Sequence, residues 1–238
     1  KKDRIFSGLN ASNKPTYIPK DTWRSSHVDI VGTTGSGKGV MAGMLLTQAV
    51  KQGEAVIVID PKDDEYAMHV MGQAAKKAKV PFYFIDLLGQ TPQWNPFNNK
   101  TEIEIEELFS AGFGQAEKGT DADFYRIHDR ASARLFAAES ISSPDKPSAI
   151  LMRLLREHDA KMKEAPKFRE DLEEIVSMPV LNINQGIDLQ TAIEQCAVIY
   201  VRGSMRNPRA LKLQKMFVLS VMQHCEKRGR DTARHVCI

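Results

Sequence analysis

"HVDIVGTTGSGKGVMAGMLLTQAVKQGEAVIVID", residues 27 to 60, decides the fold. An apolar, β-branched run at 27 to 31 leads into the glycine-rich loop "GTTGSGKG" at 32 to 39; a helical pattern follows, then a second apolar run at 55 to 60. The loop meets the pattern G-x-x-x-x-G-K through Gly32, Gly37 and Lys38, and Gly35 adds backbone freedom. Placed between a strand and a helix, this pattern turns backbone N–H groups and a helix N-terminus toward phosphate oxygens, with the lysine reaching the terminal phosphates. The candidate nucleotide-binding residues are Gly32, Thr33, Thr34, Gly35, Ser36, Gly37, Lys38, Gly39 and Val40. Gly39 stands where such loops usually carry a hydroxyl for Mg²⁺. Because Mg²⁺ keeps several waters and takes ligands from the nucleotide phosphates, the missing hydroxyl changes metal geometry without forbidding binding, and the protein ligands of the metal stay unassigned.

Working outward, five short apolar runs read as strands: 27–31, 55–60, 80–86, 197–201 and 235–238. They are nearly continuous rather than alternating, as in strands buried on both faces of a parallel sheet. Helical patterns lie between them. Residues 39–52 place Val40, Met44, Leu45 and Ala49 on one stripe, 64–78 form a second helix, and 208–228 form a third, with Leu211, Met216, Phe217, Leu219 and Met222 facing inward. The alternation predicts an α/β fold with a mainly parallel sheet. From 101 to 180 the chain turns strongly charged and helical in spacing without a strand pattern. This is an all-helical insertion dividing the nucleotide-binding domain into 1–100 and 181–238. Within it Phe124, Ile127, Ala131 and Leu135 fall on one helical stripe.

The 238 residues carry a net charge of +3, unevenly spread. Residues 1–100 hold 13 basic and 9 acidic side chains, 101–180 hold 11 and 17, and 201–238 hold 9 and 2. A cationic C-terminal segment suits nucleic acid phosphates or a solvated helix face equally. The longest apolar runs are far short of the roughly 20 residues that cross a bilayer. Three cysteines without paired spacing argue against a disulfide framework or a zinc site. "DLLG" at 86–89 and "NKTE" at 99–102 echo GTPase elements, but their closeness leaves no room for the strand and helix that should separate them.

"GTTGSGKG", "VIVIDPKDDEY" at 56–66, "WNPFN" at 94–98 and "AVIYVRGSMRNPRALKLQKMFVLSVMQHCEKR" at 197–228, in that order, resemble the type IV coupling proteins of bacterial conjugation and type IV secretion. These are TraG/TraD-type ATPases in the FtsK-like group of RecA-fold motors, and many of the TraG branch also place Gly directly after the loop lysine. The resemblance covers most of the chain from about residue 25. It implies a RecA-like P-loop NTPase that binds ATP and Mg²⁺ between the subunits of a homo-hexameric ring. The ring would drive single-stranded DNA with its attached relaxase into a type IV secretion channel. It also implies a place on the cytoplasmic side of the bacterial inner membrane, held there by segments outside this otherwise soluble chain. The metal-binding Asp and water-activating Glu of the family's Walker B strand should follow "HVCI", beyond Ile238; the chain is expected to be a fragment that does not hydrolyse ATP by itself.

Asp60 and Lys62, at a strand end where α/β ligands gather, are expected to reach nucleotide or a neighbouring subunit; the alternative for Asp60 is capping of the next turn. Arg202, Arg206 and Arg209 follow the fourth apolar run at the same edge. Arg206 is the candidate catalytic arginine beside Lys38, since a neighbour's arginine stabilises phosphoryl-transfer charge in ring ATPases. Two other functions fit the residues: an FtsK-like cytosolic double-stranded DNA pump or helicase, and a nucleotide-controlled docking module without sustained hydrolysis.

Overall fold

The computed structural model describes residues 3–63, 65–114, 122–228 and 235–238. Strands β1 (Arg4–Leu9) and β2 (Pro15–Pro19) form an antiparallel hairpin, followed by a short helix α1 (Lys20–Ser25). The glycine loop then opens α2 (Lys38–Lys51). The chain turns at Gly53, whose φ of 78° favours glycine, into β3 (Ala55–Asp60). Helix α3 (Glu65–Ala78) and strand β4 (Phe82–Asp86) come next. Among the described residues, five helices fill the charged region: α4 (Glu102–Phe113), α5 (Ala122–Ser142), α6 (Pro147–Glu157), α7 (Asp159–Glu164) and α8 (Pro166–Val176). The short α9 (Leu189–Glu194) precedes β5 (Val198–Arg202), α10 (Pro208–Glu226) and β6 (Val236–Cys237).

Strands β4, β5, β3 and β6 lie in that order in one sheet, every pair parallel. Two apolar clusters cover its faces. Val56, Val198 and Tyr200 pack with Leu45 and Ala49 of α2 and Met71, Ala74 and Ala75 of α3. The alternate residues Ala55, Ile57, Ile199 and Val201 join the other cluster, to which Phe109, Phe136, Phe168 and Phe217 from α4, α5, α8 and α10 belong. The period-two alternation thus assigns each strand residue to one of two buried faces, and both faces being apolar is why the strands read as unbroken runs. Local chemistry fixes the helix starts. Thr101 and Glu104 form a reciprocal capping box on α4, while Asn207 accepts from the N–H groups of Arg209 and Ala210 ahead of Pro208 at α10.

Three expectations need correction. Residues 27–31 do not form a strand, and Val28 and Val31 are exposed. Among the described residues no strand pairs with them, and β6 meets β3 over only two residue pairs. A parallel strand has no hydrogen-bond ladder without a neighbour. A largely apolar cavity of about 600 Å³ lies there instead, bounded by residues 25–30, α2, β3 and β6. Next, the α5 stripe is rotated: Ile127 is exposed, and Ser132, Ala133, Phe136, Ala137 and Ser140 face inward. Finally, Leu211 and Met222 of α10 and Val40 of α2 are exposed, whereas Met216 and Phe217 are buried. The N-terminal hairpin and α1 have no counterpart in the apolar pattern, because few of their side chains are buried, chiefly Ile5 and Trp23.

One buried carboxylate ties the ends of the described chain together. The Glu54 side chain, at the start of β3, is fully buried; it accepts from Trp23 Nε1 at 3.0 Å, Arg24 Nε at 3.0 Å and His235 Nδ1 at 3.1 Å. Burial pushes its carboxyl up, but the hydrogen bonds from His235, Trp23 and Arg24 outweigh this and hold it at about 2, against an ordinary 4.5. A depressed carboxylate adds stability that is complete above pH 4.5 and lost as pH falls toward 2. Acid unfolding followed by circular dichroism should therefore show a steeper loss of stability over that window in the wild type than in Glu54→Gln; equal slopes would contradict the clamp.

Candidate functional site

Helix α2 connects through Gly53 to the start of β3 and so runs back antiparallel to the strands. Its N-terminus, with the glycine loop, therefore sits at the sheet's C-terminal edge, where ligands bind in open α/β sheets. The loop closes on itself. Lys38 Nζ donates to the carbonyls of Gly32 at 2.7 Å and Thr33 at 2.6 Å, and Ser36 N donates to Thr33 O at 3.2 Å. Gly35 and Gly37 adopt φ of 80° and 87°, in the left-handed region. Nothing lies within 4 Å of a Cβ built at either, whereas one at Gly32 would come within 2.5 Å of Ser36 Oγ. The loop is tight at its first glycine and open beside the other two, so a bound group can approach the backbone there.

Gly37 caps α2 without a side-chain hydrogen bond, and the first turn holds no acidic residue. The leading N–H groups lack partners within the helix, and the positive end of its dipole faces outward unopposed. Together with the lysine ammonium this fits an anion of phosphate type. Thr33, Thr34, Ser36, Gly39 and Val40 are all exposed on or beside the loop. Gly39 lies inside the helix and carries no hydroxyl. Among the described residues no group of three or more His, Cys, Asp or Glu side chains could hold a metal ion.

The remaining edge residues sort differently. Asp60 is buried; its carboxylate accepts from Tyr200 OH at 2.7 Å and from Lys62 N at 2.8 Å, the second being a turn-capping bond. Lys62 itself is exposed. Arg202, in register with both Asp60 and Asp86, donates to the carboxylates of Asp86 and Asp63 and lies 5.8 Å over the Phe84 ring. The Asp86 carboxylate pushes the guanidinium's pKa further up. Arg206 projects into solvent, with its N–H on Ser204 Oγ at 3.1 Å, and Arg209 is likewise exposed. Trp94 is buried edge-on against Phe217. The pairing of Arg202 with Asp63 and Asp86 is missing from the sequence reading. Its signal is that "YFID" and "IYVR" both end in a charge, and it becomes visible only once the two strands are known to be neighbours in register.

The family model described as "Helicase HerA, central domain" matches residues 6–176. Mobilization protein A of Escherichia coli is 35% identical over 148 residues, covering 61% of this chain and 26% of that protein. Among solved structures, the unbound bacterial conjugative coupling protein TrwBdeltaN70 superposes with a TM-score of 0.66 at 16% identity, over 97% of this chain and 57% of its own. TrwB in complex with ADP and Mg²⁺ gives 0.65 at 15% identity, over 97% and 59%. VirB4 of Thermoanaerobacter pseudethanolicus gives 0.57 at 13% identity, over 95% and 64%. The chain thus spans about a quarter of the curated relative's length, and these structures share its fold.

Gly37→Ala should cost about 1–2 kcal/mol, since alanine is strained in the left-handed region, and should lower the melting temperature. Gly39→Ser, at an ordinary helical position, should leave it nearly unchanged. Equal melting temperatures for both variants would contradict the loop geometry. With a family model spanning more than two thirds of its length, a glycine loop opening α2 at the edge of a parallel sheet and the fold of the coupling proteins, the chain belongs to the family of the HerA helicase central domain.

Proposed function

We propose that this chain is the nucleotide-binding part of a conjugative coupling ATPase, which uses ATP to move single-stranded DNA and its attached relaxase toward a type IV secretion channel. The observation that carries the reading is the self-closed loop at the N-terminus of α2, with Lys38 on the carbonyls of Gly32 and Thr33. The 35% identity with a mobilization protein directs it toward conjugation. Bound ATP with Mg²⁺ supplies the phosphoryl group whose transfer to water drives the motion. The residues of this chain bind and orient. Lys38 leaves the loop carbonyls for the terminal phosphates, and the N–H groups at Gly35 to Gly39 surround the phosphate chain. Gly39 offers no hydroxyl, so a Mg²⁺ ion bound with the nucleotide would find no side-chain ligand at that position and would screen the phosphate charge. Catalysis in such a site is positioning and charge stabilisation.

In a homo-hexameric ring, Arg206 is the side chain proposed to reach the neighbouring subunit's phosphates, because it is exposed at the sheet's C-terminal edge. Arg202, held by two carboxylates, keeps the ends of β5 and β4 together. Lys62 is proposed to face the same neighbour, and Asp60 supports it through the turn. The ring would sit at the inner face of the bacterial inner membrane through segments other than these; no helix among the described residues is long and apolar enough to cross a membrane.

The family description, a helicase central domain, favours a second reading, a pump acting on double-stranded DNA. ATP turnover separates the two when it is measured with single-stranded or duplex DNA on the chain together with any sequence that follows Ile238. The proposal predicts stimulation by single strands, and a loss of about a hundredfold in Lys38→Ala, the usual size for removing one charge-stabilising donor. Duplex-selective stimulation supports the pump, and turnover indifferent to DNA overturns both.

A further inference from the structure

Away from the glycine loop, a pocket of about 190 Å³ opens where the 95–100 segment meets the end of α5 and the turn into α6. Buried Asn95 fixes its walls. Its amide donates to Asp145 O at 3.3 Å and to Asn184 O at 2.8 Å and accepts from Phe97 N at 3.1 Å, so one side chain ties together three stretches of the chain. Both of its protons are used in this way, and the pocket is formed before any ligand arrives.

The lining says what the pocket suits. Three further carboxamides border it, those of Asn98, Asn99 and Asn184, and among the described residues none of these side chains makes a hydrogen bond. They are within reach of a ligand, Asn98 being half-buried and the other two exposed. The rest of the lining is mainly apolar: buried Phe97 and Ile150, half-exposed Ile141 and exposed Pro144. Its charged members are already matched. The Asp145 carboxylate accepts from Lys146 N and Arg153 Nη1, while Lys100 Nζ donates to Gln223 Oε1 and Ser220 O with Glu104 and Glu107 beside it. An ion would find no free counter-charge here; what the pocket offers is neutral donors and acceptors around apolar surface.

We propose that this pocket holds an unpaired nucleobase, read by the carboxamides of Asn98, Asn99 and Asn184. A base is apolar on its faces and carries neutral donors and acceptors on its edge, so it engages both kinds of lining at once. Water pairs with the amides but leaves Ile141 and Pro144 wetted. A carboxamide presents a donor and an acceptor side by side, the pattern with which asparagine reads adenine N6 and N7, and bases out of the stack are open to such contacts. The volume of about 190 Å³ lies below the roughly 300–1,000 Å³ of pockets for drug-sized ligands, which suits a single base. The base belongs either to a nucleic acid strand, a source that rests on the DNA substrate proposed above, or to a free nucleoside.

The test reads the side-chain amide resonances of Asn98 and Asn184 by NMR, assigned through Asn98→Ala and Asn184→Ala, while thymidine or deoxyadenosine is added to the 238-residue chain. Neither nucleoside carries a phosphate and the readout needs no turnover, so the site holds or fails apart from the motor reading. Expected is a saturable shift with at least one nucleoside, weakened about fivefold in Asn184→Ala, as for loss of one neutral hydrogen bond. Asn99→Gly should weaken it similarly; Asn99 has a φ of 56°, and glycine keeps that left-handed backbone while removing the amide. A parallel titration with oligothymidylate identifies the source: half-saturation at a lower base concentration than thymidine assigns a strand, and an equal or higher one assigns the free nucleoside. No shift with any of these ligands, equal affinity in the wild type and both variants, or a matching response to acetamide would overturn the site.

Discussion

Strand β5 is the constraint on which the rest of the structure depends. Both of its edges are paired, with β3 on one side and β4 on the other, five residue pairs each. Both of its faces are covered, and Val198 through Val201 are buried without exception. A strand so enclosed tolerates only apolar side chains except at its end, and the chain obeys this up to Arg202. There the strand leaves the core and the guanidinium finds Asp86 on β4 and Asp63 beyond β3. The same pairing holds Tyr200 against Asp60 and so fixes the end of β3. Strand ends, the turn after β3 and the N-terminus of α2 are thereby gathered along one edge, where a P-loop can work.

The layers follow from the same enclosure. One sheet face is closed by α2 and α3, the other by α10 and the helices of the charged region, so those helices share an apolar cluster with the sheet. The joint between them gathers a polar network: the capping box of α4 on Thr101, its Glu104 on Lys227, and Gln223 on Glu104 O, Glu107 and Lys100. A capping residue that also receives a lysine from α10 links a local helix start to tertiary packing.

Much of this was legible in the sequence, for a physical reason. Buried parallel strands have to be continuous apolar runs, and a phosphate loop has to have glycines at fixed spacing, so the α/β alternation, four sheet strands and the loop could be read directly. Residues 27–31 misled because composition speaks for strand propensity and not for the presence of a neighbour; Val31 is β-branched yet exposed. On α5, several small residues at helical spacing fit more than one stripe, and only packing selects the face bearing Phe136 and Ala137 over that of Ile127. The roles of Glu54 and Arg202 were hidden for a different cause: each depends on partners 30 to 181 residues away in sequence. The loop residues themselves, by contrast, are local, and their geometry is what the pattern required.

The central claim is that the loop at the N-terminus of α2 holds nucleotide phosphates and that Lys38 supplies the charge. Equilibrium binding of a fluorescent ATP analogue to the 238-residue chain in Mg²⁺, wild type beside Lys38→Ala, tests it most directly. The account predicts saturable binding that competes with ATP and weakens about tenfold or more when the ammonium is removed. Equal affinity in the two proteins, or no binding by the wild type, would contradict it.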